Sequence, residues 1–203
     1  MASKIIVDQL EKTGGALTAL TLPVANATTN QYIKNDGAGA LSWATLPGSG
    51  KILQVIGVTK TDTFSHNTTA WADITGMSVS ITPSATSSKI YVTSSISCGS
   101  RGYTSYSWIK LVRDSTDVFV GDAASARLRV SLQMGPTGND QSQMNTSMIN
   151  YIDSPNTTSA TTYKLQMICQ NTDSQYINRS YVDTDLVTYS RGASSIIVME
   201  VGI

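Results

Sequence analysis

The stretch "TYKLQMICQ", residues 162–170, shows the pattern from which the fold of this chain can be inferred. One set of alternate residues is apolar: Leu165, Met167 and Cys169. The residues between them are Lys164, Gln166 and Ile168. Successive side chains of a β-strand point to opposite faces of a sheet, so a hydrophobic period of two is typical of a half-buried strand. This stretch therefore predicts a strand with one face against a core.

Residues 51–203 repeat this pattern, with turn-forming residues between the runs. Further sets that share a face are Val79 with Ile81, Ile90 with Val92, and Leu128 with Val130, Leu132 and Met134. The predicted strands are 52–59, 70–74, 77–82, 89–97, 107–113, 117–120, 127–134, 147–153, 162–170, 176–181 and 195–201. Short strands separated by turn signals, without a helical period, predict an all-β fold, an antiparallel sandwich of the jelly-roll kind.

Residues 1–50 have a different character and predict an extended N-terminal arm that carries a β-hairpin. In "QYIKNDGAGALSWAT", residues 31–45, the Asp36-Gly37 pair stands in a short loop between two apolar runs. Asp-Gly is a strong hairpin signal because glycine accepts the positive φ that such turns need. The glycines and proline of "LPGSG", residues 46–50, interrupt any regular element and mark the boundary with the domain at 51–203.

The apolar residues of the arm need partners that a segment this short does not supply. An isolated two-stranded hairpin is at best marginally stable, and an extended arm of this length reaches up to roughly 160 Å. We therefore predict that the arm anchors the protein to a larger assembly. The candidate anchoring residues are Ile5, Ile6, Val7, Leu10, Tyr32, Ile33, Leu41 and Trp43. The alternative is that the arm folds back as extra strands on its own domain.

The composition excludes several classes of partner. The 203 residues include 14 Lys and Arg and 14 Asp and Glu, so the formal net charge is zero and the basic footprint of a nucleic-acid binder is missing. No run approaches the roughly 20 apolar residues of a membrane span, and the first residues do not resemble a signal peptide. Only 14% of residues are charged, against about 25% in ordinary domains, which suits surfaces that are covered by assembly.

The residues that carry enzyme chemistry are sparse, and we predict no catalytic, cofactor-binding or metal-binding site. His66 is the only histidine, and Cys98 and Cys169 are too few for a zinc signature or a disulfide framework. We expect both cysteines to be buried, reduced thiols. Asp183 and Asp185 offer two carboxylates to a hard cation, but no further oxygen ligands accompany them, so solvated turn residues are the better interpretation.

Several stretches resemble a module of structural proteins from tailed bacteriophages. They are "KTDTFSHNTTAWADITGMSVSITPSATSSKIYV" (60–92), "IKLVRDSTDVFVGDAASARLRVS" (109–131), "INYIDSPNTTSATTYKLQ" (149–166) and "YINRSYVDTDLVTYSRGASSIIVMEV" (176–201). The hairpin "IKNDGAGALSWAT" (33–45) is similar to glycine-turn units near the start of phage fibre proteins. The opening "MASKIIVDQLEKTGG" (1–15) resembles the attachment end of that family.

The resemblance implies a virion protein assembled in the cytoplasm of a bacterial host, with a trimeric jelly roll similar to the tumour-necrosis-factor and complement-C1q heads. Its partners would be two further copies of itself and the major capsid or tail protein. We expect a head decoration or cement protein, because the chain encodes no fibre shaft. The alternative is a short tail fibre or fibre tip that binds a host glycan through loops 100–107 or 135–145, with Tyr103 and Tyr106 facing the receptor. A depolymerase-like enzyme is the third and least supported hypothesis.

Overall fold

The structure is a computed structural model that describes residues 9–10, 20–21, 23–28, 31–45, 50–101, 105–135 and 140–203. These residues form β-strands, turns and irregular segments, and no helix occurs among them. All strand pairs are antiparallel. The all-β prediction is confirmed. The chain divides into two compact units, Met1–Gly48 and Ser49–Ile203.

The first unit contains two small antiparallel ladders. Strands β1 (Gln9–Leu10) and β2 (Leu20–Thr21) form one, and β3 (Gln31–Asn35) and β4 (Leu41–Thr45) form the predicted hairpin. The hairpin turn is held by Asp36, whose carboxylate accepts hydrogen bonds from the backbone N–H groups of Ala38 (2.8 Å) and Ala40 (3.0 Å). These bonds lower the pKa of Asp36. Gly37 and Gly39 have φ values of 88° and 102°, as the turn signal predicts.

The second unit is a sandwich of two sheets. Its strands are β5 (Lys51–Lys60), β6 (Phe64–His66), β7 (Ala72–Ile81), β8 (Lys89–Gly99), β9 (Ser107–Arg113), β10 (Thr116–Val118), β11 (Leu132–Met134), β12 (Met144–Asp153), β13 (Thr161–Cys169), β14 (Gln175–Ile177) and β15 (Ser194–Gly202). One sheet has the order β5-β15-β8-β12, and the short strands β14 and β6 extend it beyond the end of β15. The other has the order β7-β13-β9-β10, with β11 also paired to β9. Two antiparallel sheets whose strands alternate along the chain in this order form a jelly roll.

The core lies between the two sheets, where the alternation of apolar residues directs one face of each strand inward. The predicted inward sets Val79–Ile81, Ile90–Val92 and Leu165–Met167–Cys169 are all buried. The two cysteines are free thiols on opposite sheets. Burial raises the pKa of Cys98 to about 12 and the pKa of Cys169 to about 11, so both stay protonated at neutral pH.

Two acidic side chains are buried inside the sandwich, and each is stabilised there by several hydrogen bonds. The Glu200 carboxylate accepts hydrogen bonds from Ser84 (N–H 2.7 Å, hydroxyl 2.6 Å), the Ser88 hydroxyl (2.7 Å) and the Gln54 amide (2.6 Å). Burial acts to raise the pKa of Glu200, but these hydrogen bonds outweigh it and lower the pKa to about 2. They join the last strand to strand β5 and to the turn between β7 and β8.

The second buried carboxylate, Asp153, is held by an arginine and a tyrosine. Arg113 Nη1 lies 2.9 and 2.7 Å from the two carboxylate oxygens, and the Tyr163 hydroxyl donates to one of them at 2.6 Å. Asp153 is 3% exposed and Tyr163 is fully buried. Burial, followed by the hydrogen bond to Asp153, raises the pKa of Tyr163, so the phenol remains a donor.

Strand β7 differs from its prediction, which divided it into two strands, 70–74 and 77–82. It is a single strand with a bulge at its middle, where Gly76 has a φ of 83°. The register with β13 shifts there, between Lys164 and Gln166. The extra residues let Ile74 and Met77 both face the core, although their spacing breaks the period of two.

The predicted strand 127–134 is wrong over most of its length. Only its end, Leu132–Met134, pairs with β9, and Leu128 is 49% exposed. The preceding residues form local bonds instead: the Gly121 N–H donates to the Val130 carbonyl (3.3 Å), and Arg129 Nε donates to the Gly121 carbonyl (2.7 Å). Strand β6 was missed, because three residues are too few to show a period.

Candidate functional surfaces

The residues considered for catalysis occupy structural positions. His66 lies in strand β6, with Nε2 2.9 Å from the Ala70 carbonyl oxygen and 3.2 Å from the Thr68 hydroxyl. The nearby Cys169 thiol donates to the His66 carbonyl oxygen at 3.3 Å and is not a thiolate. The histidine is therefore engaged within its own turn and is not joined to a nucleophile.

The two carboxylates considered for a cation are only partly available. Asp183 is paired with two guanidinium groups, Arg179 at 3.1 Å and Arg191 at 2.6 Å, which oppose the approach of a cation. No group of three or more potential metal ligands occurs in the described ranges. The same part of the chain contains no helix with the length and apolar character of a transmembrane span.

The outward side of strands β5, β15, β8 and β12, which we call the apolar face, is unusual in its exposed apolar side chains. Exposed large side chains on it are Ile52 (60%), Val55 (57%), Met148 (60%) and Ile152 (64%). Between them lie half-buried neighbours: Tyr91, Ile197, Met199 and Val201. The strand registers place these residues side by side, since Met199 pairs with both Val55 and Tyr91, and Tyr91 pairs with Ile152.

The polar groups of the apolar face are uncharged and largely satisfied within it. The Tyr91 and Thr93 hydroxyls both donate to the Asn150 side-chain oxygen, at 2.9 and 3.0 Å. The structure describes these four strands in full, and Lys89 is the one charged residue among their outward positions. Its Nζ donates to the Ser154 hydroxyl at 2.7 Å. A face of this kind can be covered without burying an unpaired charge.

Strand β5 adds an open edge to the apolar face. In the part of the chain that the structure describes, β5 pairs with β15 on one side and with no strand on the other. Leu53 and Ile56 on the same strand are also exposed, at 48% and 36%. A long apolar edge strand is an aggregation hazard unless another chain or segment covers it.

The hairpin of the first unit exposes part of the predicted anchoring set. Tyr32 is 39% exposed and Ile33 is 49% exposed, whereas Leu41 and Trp43 are half-buried. The Trp43 indole N–H donates to the Ala25 carbonyl at 2.6 Å, which fixes its ring within the unit. Ile5, Ile6 and Val7 lie outside the described residues, as does the side chain of Leu10, whose backbone belongs to β1.

The described residues of the two predicted receptor loops lie at the same end of the sandwich. The ring of Tyr106, half-buried, lies against Gly135, where an added Cβ would come within 3.1 Å of it. Asn145 donates to the Gly135 carbonyl at 2.9 Å, and the Val182 N–H donates to the Gln141 carbonyl at 3.3 Å. Tyr103 is outside the described residues. The segment 178–193, between β14 and β15, therefore belongs to the same loop cluster.

Sequence reasoning missed the apolar face, although a signal for it was present. The run "SIIVMEV", residues 195–201, is apolar at positions of both parities, whereas a strand with one wet face alternates. Ile196 and Val198 fill the core, and Ile197 and Met199 lie outside it. A strand that is apolar on both faces indicates that both faces are packed against other protein.

Comparison with known proteins finds similar solved structures but no matching family. No protein-family model and no curated protein matches the sequence. Among solved structures, T=1 particles derived from infectious bursal virus match with a TM-score of 0.43 and 14% identity over 95% of this chain and 44% of that one. The VP2 subviral particle of infectious bursal disease virus matches with a TM-score of 0.44 and 13% identity, over 94% and 41%. The chain thus spans less than half the length of these capsid proteins, and TM-scores below 0.5 carry no functional conclusion.

Proposed function

We propose that this chain is a non-enzymatic structural protein of a virus particle, which forms a homotrimer through its apolar face and attaches to the particle by residues 1–50. The observation that carries the proposal is the apolar face itself, a sheet surface with several exposed large side chains and one peripheral lysine. Soluble monomers rarely leave a contiguous apolar surface of this size uncovered.

The dimensions of the apolar face suit an interface between copies. Four strands about 4.8 Å apart, each with about eight residues at roughly 3.3 Å, give a flat area of roughly 500 Å². A standard interface buries about 800 Å² of accessible surface per partner, and the accessible surface of side chains exceeds the flat area beneath them. In a trimer each copy divides this face between two neighbours, so each contact is small and the three contacts together close the oligomer.

The chemistry of the apolar face favours identical partners. In a trimer with a three-fold axis, residues near the axis lie close to the same residues of the other two copies. A charged residue there would therefore be repelled by its two symmetry copies. The outward positions of β15 avoid this, because Ser195, Ile197, Met199 and Val201 are all uncharged. A three-fold arrangement also agrees with the trimer that the resemblance to phage structural proteins implies.

The arm supports attachment to a larger particle. Its hairpin exposes Tyr32 and Ile33, and a two-stranded ladder gains most by pairing or packing with another chain. The resemblance of residues 1–15 to a phage attachment end makes the major capsid or tail protein the partner. The particle would then be assembled in the bacterial cytoplasm, with the jelly roll facing outward as a decoration or cement protein.

A second candidate function is a fibre tip that contacts the host surface. It is favoured by the gathering of the Tyr106 loop, the 140–145 loop and the 178–193 segment at one end of the sandwich. Connecting loops on a rigid scaffold often carry binding residues. In this arrangement the arm keeps its anchoring role and the loop cluster points away from the particle.

The test of the proposed function is deletion of residues 2–46. We expect the truncated protein to remain a folded trimer but to be absent from purified particles, as measured by gel densitometry after density-gradient sedimentation. A matched full-length control with Val24→Ser, a change at a fully exposed side chain outside the proposed anchoring set, should be incorporated normally. Full occupancy by the truncated protein would place the anchor in the jelly roll and contradict the proposal.

A further inference from the structure

A cavity of about 310 Å³ opens in the 178–193 segment. It is lined by Asp183, Thr184, Asp185, Leu186, Tyr189 and Arg191. Its volume is at the lower end of the roughly 300–1,000 Å³ of small-molecule sites, which suits a ligand about the size of a single sugar ring. We call it the 183–191 cavity.

The base of the segment is fixed to the core. Asn178 is fully buried, and its amide donates to the carbonyl oxygens of Lys60 (2.8 Å) and Asp62 (3.0 Å). Its side-chain oxygen accepts from the Ser194 hydroxyl at 2.6 Å, and the Gly192 N–H donates to its carbonyl at 3.0 Å. The two ends of the segment are thus held together where β14 and β15 meet it.

The wall of the cavity is also held in place. The Arg179 guanidinium stacks on the Tyr176 ring at 3.6 Å from the ring centre, and Tyr181 meets that ring edge-on at 5.7 Å. Asp183 bridges Arg179 and Arg191. The guanidinium and carboxylate planes are therefore positioned before any ligand arrives, which reduces the ordering cost of binding.

The groups that line the cavity define the ligand chemistry. The Asp185 carboxylate and the Tyr189 hydroxyl have no hydrogen-bond partner among the described residues, and Asp183 leaves 41% of its side chain exposed. The lining has two aspartates and one arginine, and Arg179 pairs with Asp183 without lining the cavity, so the site has no excess of positive charge to attract an anionic ligand. It combines acceptors, donors, the Tyr189 ring and the apolar Leu186 side chain within one small space.

We propose that the 183–191 cavity binds one ring of a neutral saccharide. Hydroxyl groups of a sugar both donate and accept, so they can donate to Asp185 and accept from Arg191 and Tyr189. The apolar C–H face of the ring would lie against Tyr189 and Leu186. This activity goes beyond the structural role, and it occupies a loop different from the two that the sequence suggested for a receptor.

The cavity is small and open to solvent, so we expect a free monosaccharide to bind with a dissociation constant on the order of 1 mM. Three sites on one trimer would raise the apparent affinity for a repeating polysaccharide by roughly 10²–10⁴. That gain rests on the proposed trimer, whereas binding of the free sugar does not.

The test is saturation-transfer NMR on the full chain with D-glucose, D-galactose, D-mannose, N-acetyl-D-glucosamine and, as a charged comparator, D-glucuronate. We expect transfer to at least one neutral sugar and a fall of about tenfold in its affinity with Asp185→Asn and with Tyr189→Ala. The matched control Asp122→Asn, at an exposed position outside the cavity, should bind normally. The same measurement is then repeated with dextran if glucose binds, or with mannan if mannose binds. Tighter binding of the polymer than of its free sugar indicates a polysaccharide ligand.

Three outcomes would overturn the proposal: no transfer to any neutral sugar, transfer to glucuronate alone, or transfer that both cavity variants retain. The mass of the assembly is measured on the same samples. If the unmodified chain has a trimeric mass but binds no neutral sugar, the cavity proposal alone is refuted; if it binds a neutral sugar but has a monomeric mass, the trimer alone is refuted.

Discussion

The outward side of β7, β13, β9 and β10 carries ion pairs, whereas the apolar face on the opposite sheet carries exposed Ile, Val and Met. On the first of these, which we call the ion-paired face, Lys164 lies 2.8 Å from Asp73 and Lys110 lies 2.8 Å from Asp117. The Ser80 and Thr162 hydroxyls, 2.7 Å apart, add a cross-strand hydrogen bond. Both faces belong to one sandwich and share one core.

The difference indicates that the two faces meet different surroundings. Ion pairs that are open to solvent cost little, and they keep the outer side of a sheet soluble. Exposed aliphatic residues such as Met148 and Ile152 add nothing to the fold of a single copy and leave apolar area in water. The chain as a whole is poor in charge, and the charges of the two sheets' outward sides are concentrated on the ion-paired face.

The largest expected effect comes from a charge on the apolar face. Met148→Glu places a carboxylate in each copy at a position where apolar side chains pack against another copy. Burying an unpaired charge there costs several kcal/mol. We expect the variant to be a folded monomer by size-exclusion chromatography with light scattering. The matched control is Ser78→Glu, at an exposed position on β7, which should remain a trimer. A trimeric Met148→Glu protein would show that copies meet elsewhere.

Inside the sandwich, a charge is tolerated only with its partner. Arg113→Met leaves the Asp153 carboxylate buried without its cation, and we expect the free energy of unfolding to fall by about 3–5 kcal/mol. The measurement is urea denaturation at a fixed protein concentration. Arg101→Met removes the exposed pair with Asp173 and should cost less than about 1 kcal/mol. Equal losses for the two variants would mean that burial does not distinguish the pairs.

Glu200 tests the same principle through pH. Its folded pKa, about 2, is below the ordinary value of 4.5, so its contribution is complete above pH 4.5 and is lost as the pH falls towards 2. Glu200→Gln should therefore lower the free energy of unfolding by about 2 kcal/mol at pH 7, with the difference from the native chain shrinking between pH 4.5 and 2. A difference that stays constant over this range would show that the charge of Glu200 does not matter. Asp117→Asn serves as an exposed control.

The smallest effect is expected on the ion-paired face. The Asp73 carboxylate accepts from Lys164 and Gln166, and these contacts lower the pKa of Asp73, but its side chain is 53% exposed. Asp73→Asn should change the free energy of unfolding by less than about 1 kcal/mol and leave the oligomer intact. Dissociation of this variant in native mass spectrometry would reverse the assignment of the two faces.

The fold could be predicted from sequence wherever one face of a strand is exposed to solvent, because apolar and polar residues then alternate. Strand β9 has the predicted bounds, and the inward residues of β8 and β13 were identified by their alternation. The prediction failed where other physics sets the chain path. At Gly76 a bulge interrupts the alternation of inward and outward residues in β7. Between Gly121 and Val130 a local backbone hydrogen bond replaces pairing with another strand.

The functional surfaces were less predictable because they depend on neighbours in space. The apolar face gathers residues from strands up to about 150 positions apart, from Ile52 to Val201, and only β15 signals it locally. The 183–191 cavity depends on the pairing of Asp183 with Arg179 and Arg191, which sequence spacing alone does not reveal. Asp183 was instead considered as a cation ligand, since its two guanidinium partners were not evident.

Native mass spectrometry of the unmodified full chain at micromolar concentration tests the central claim most directly. If the apolar face is an interface between copies, the dominant species will contain three copies of the 21.6 kDa chain. A monodisperse monomer under the same conditions would leave the apolar face exposed in solution and would contradict the account.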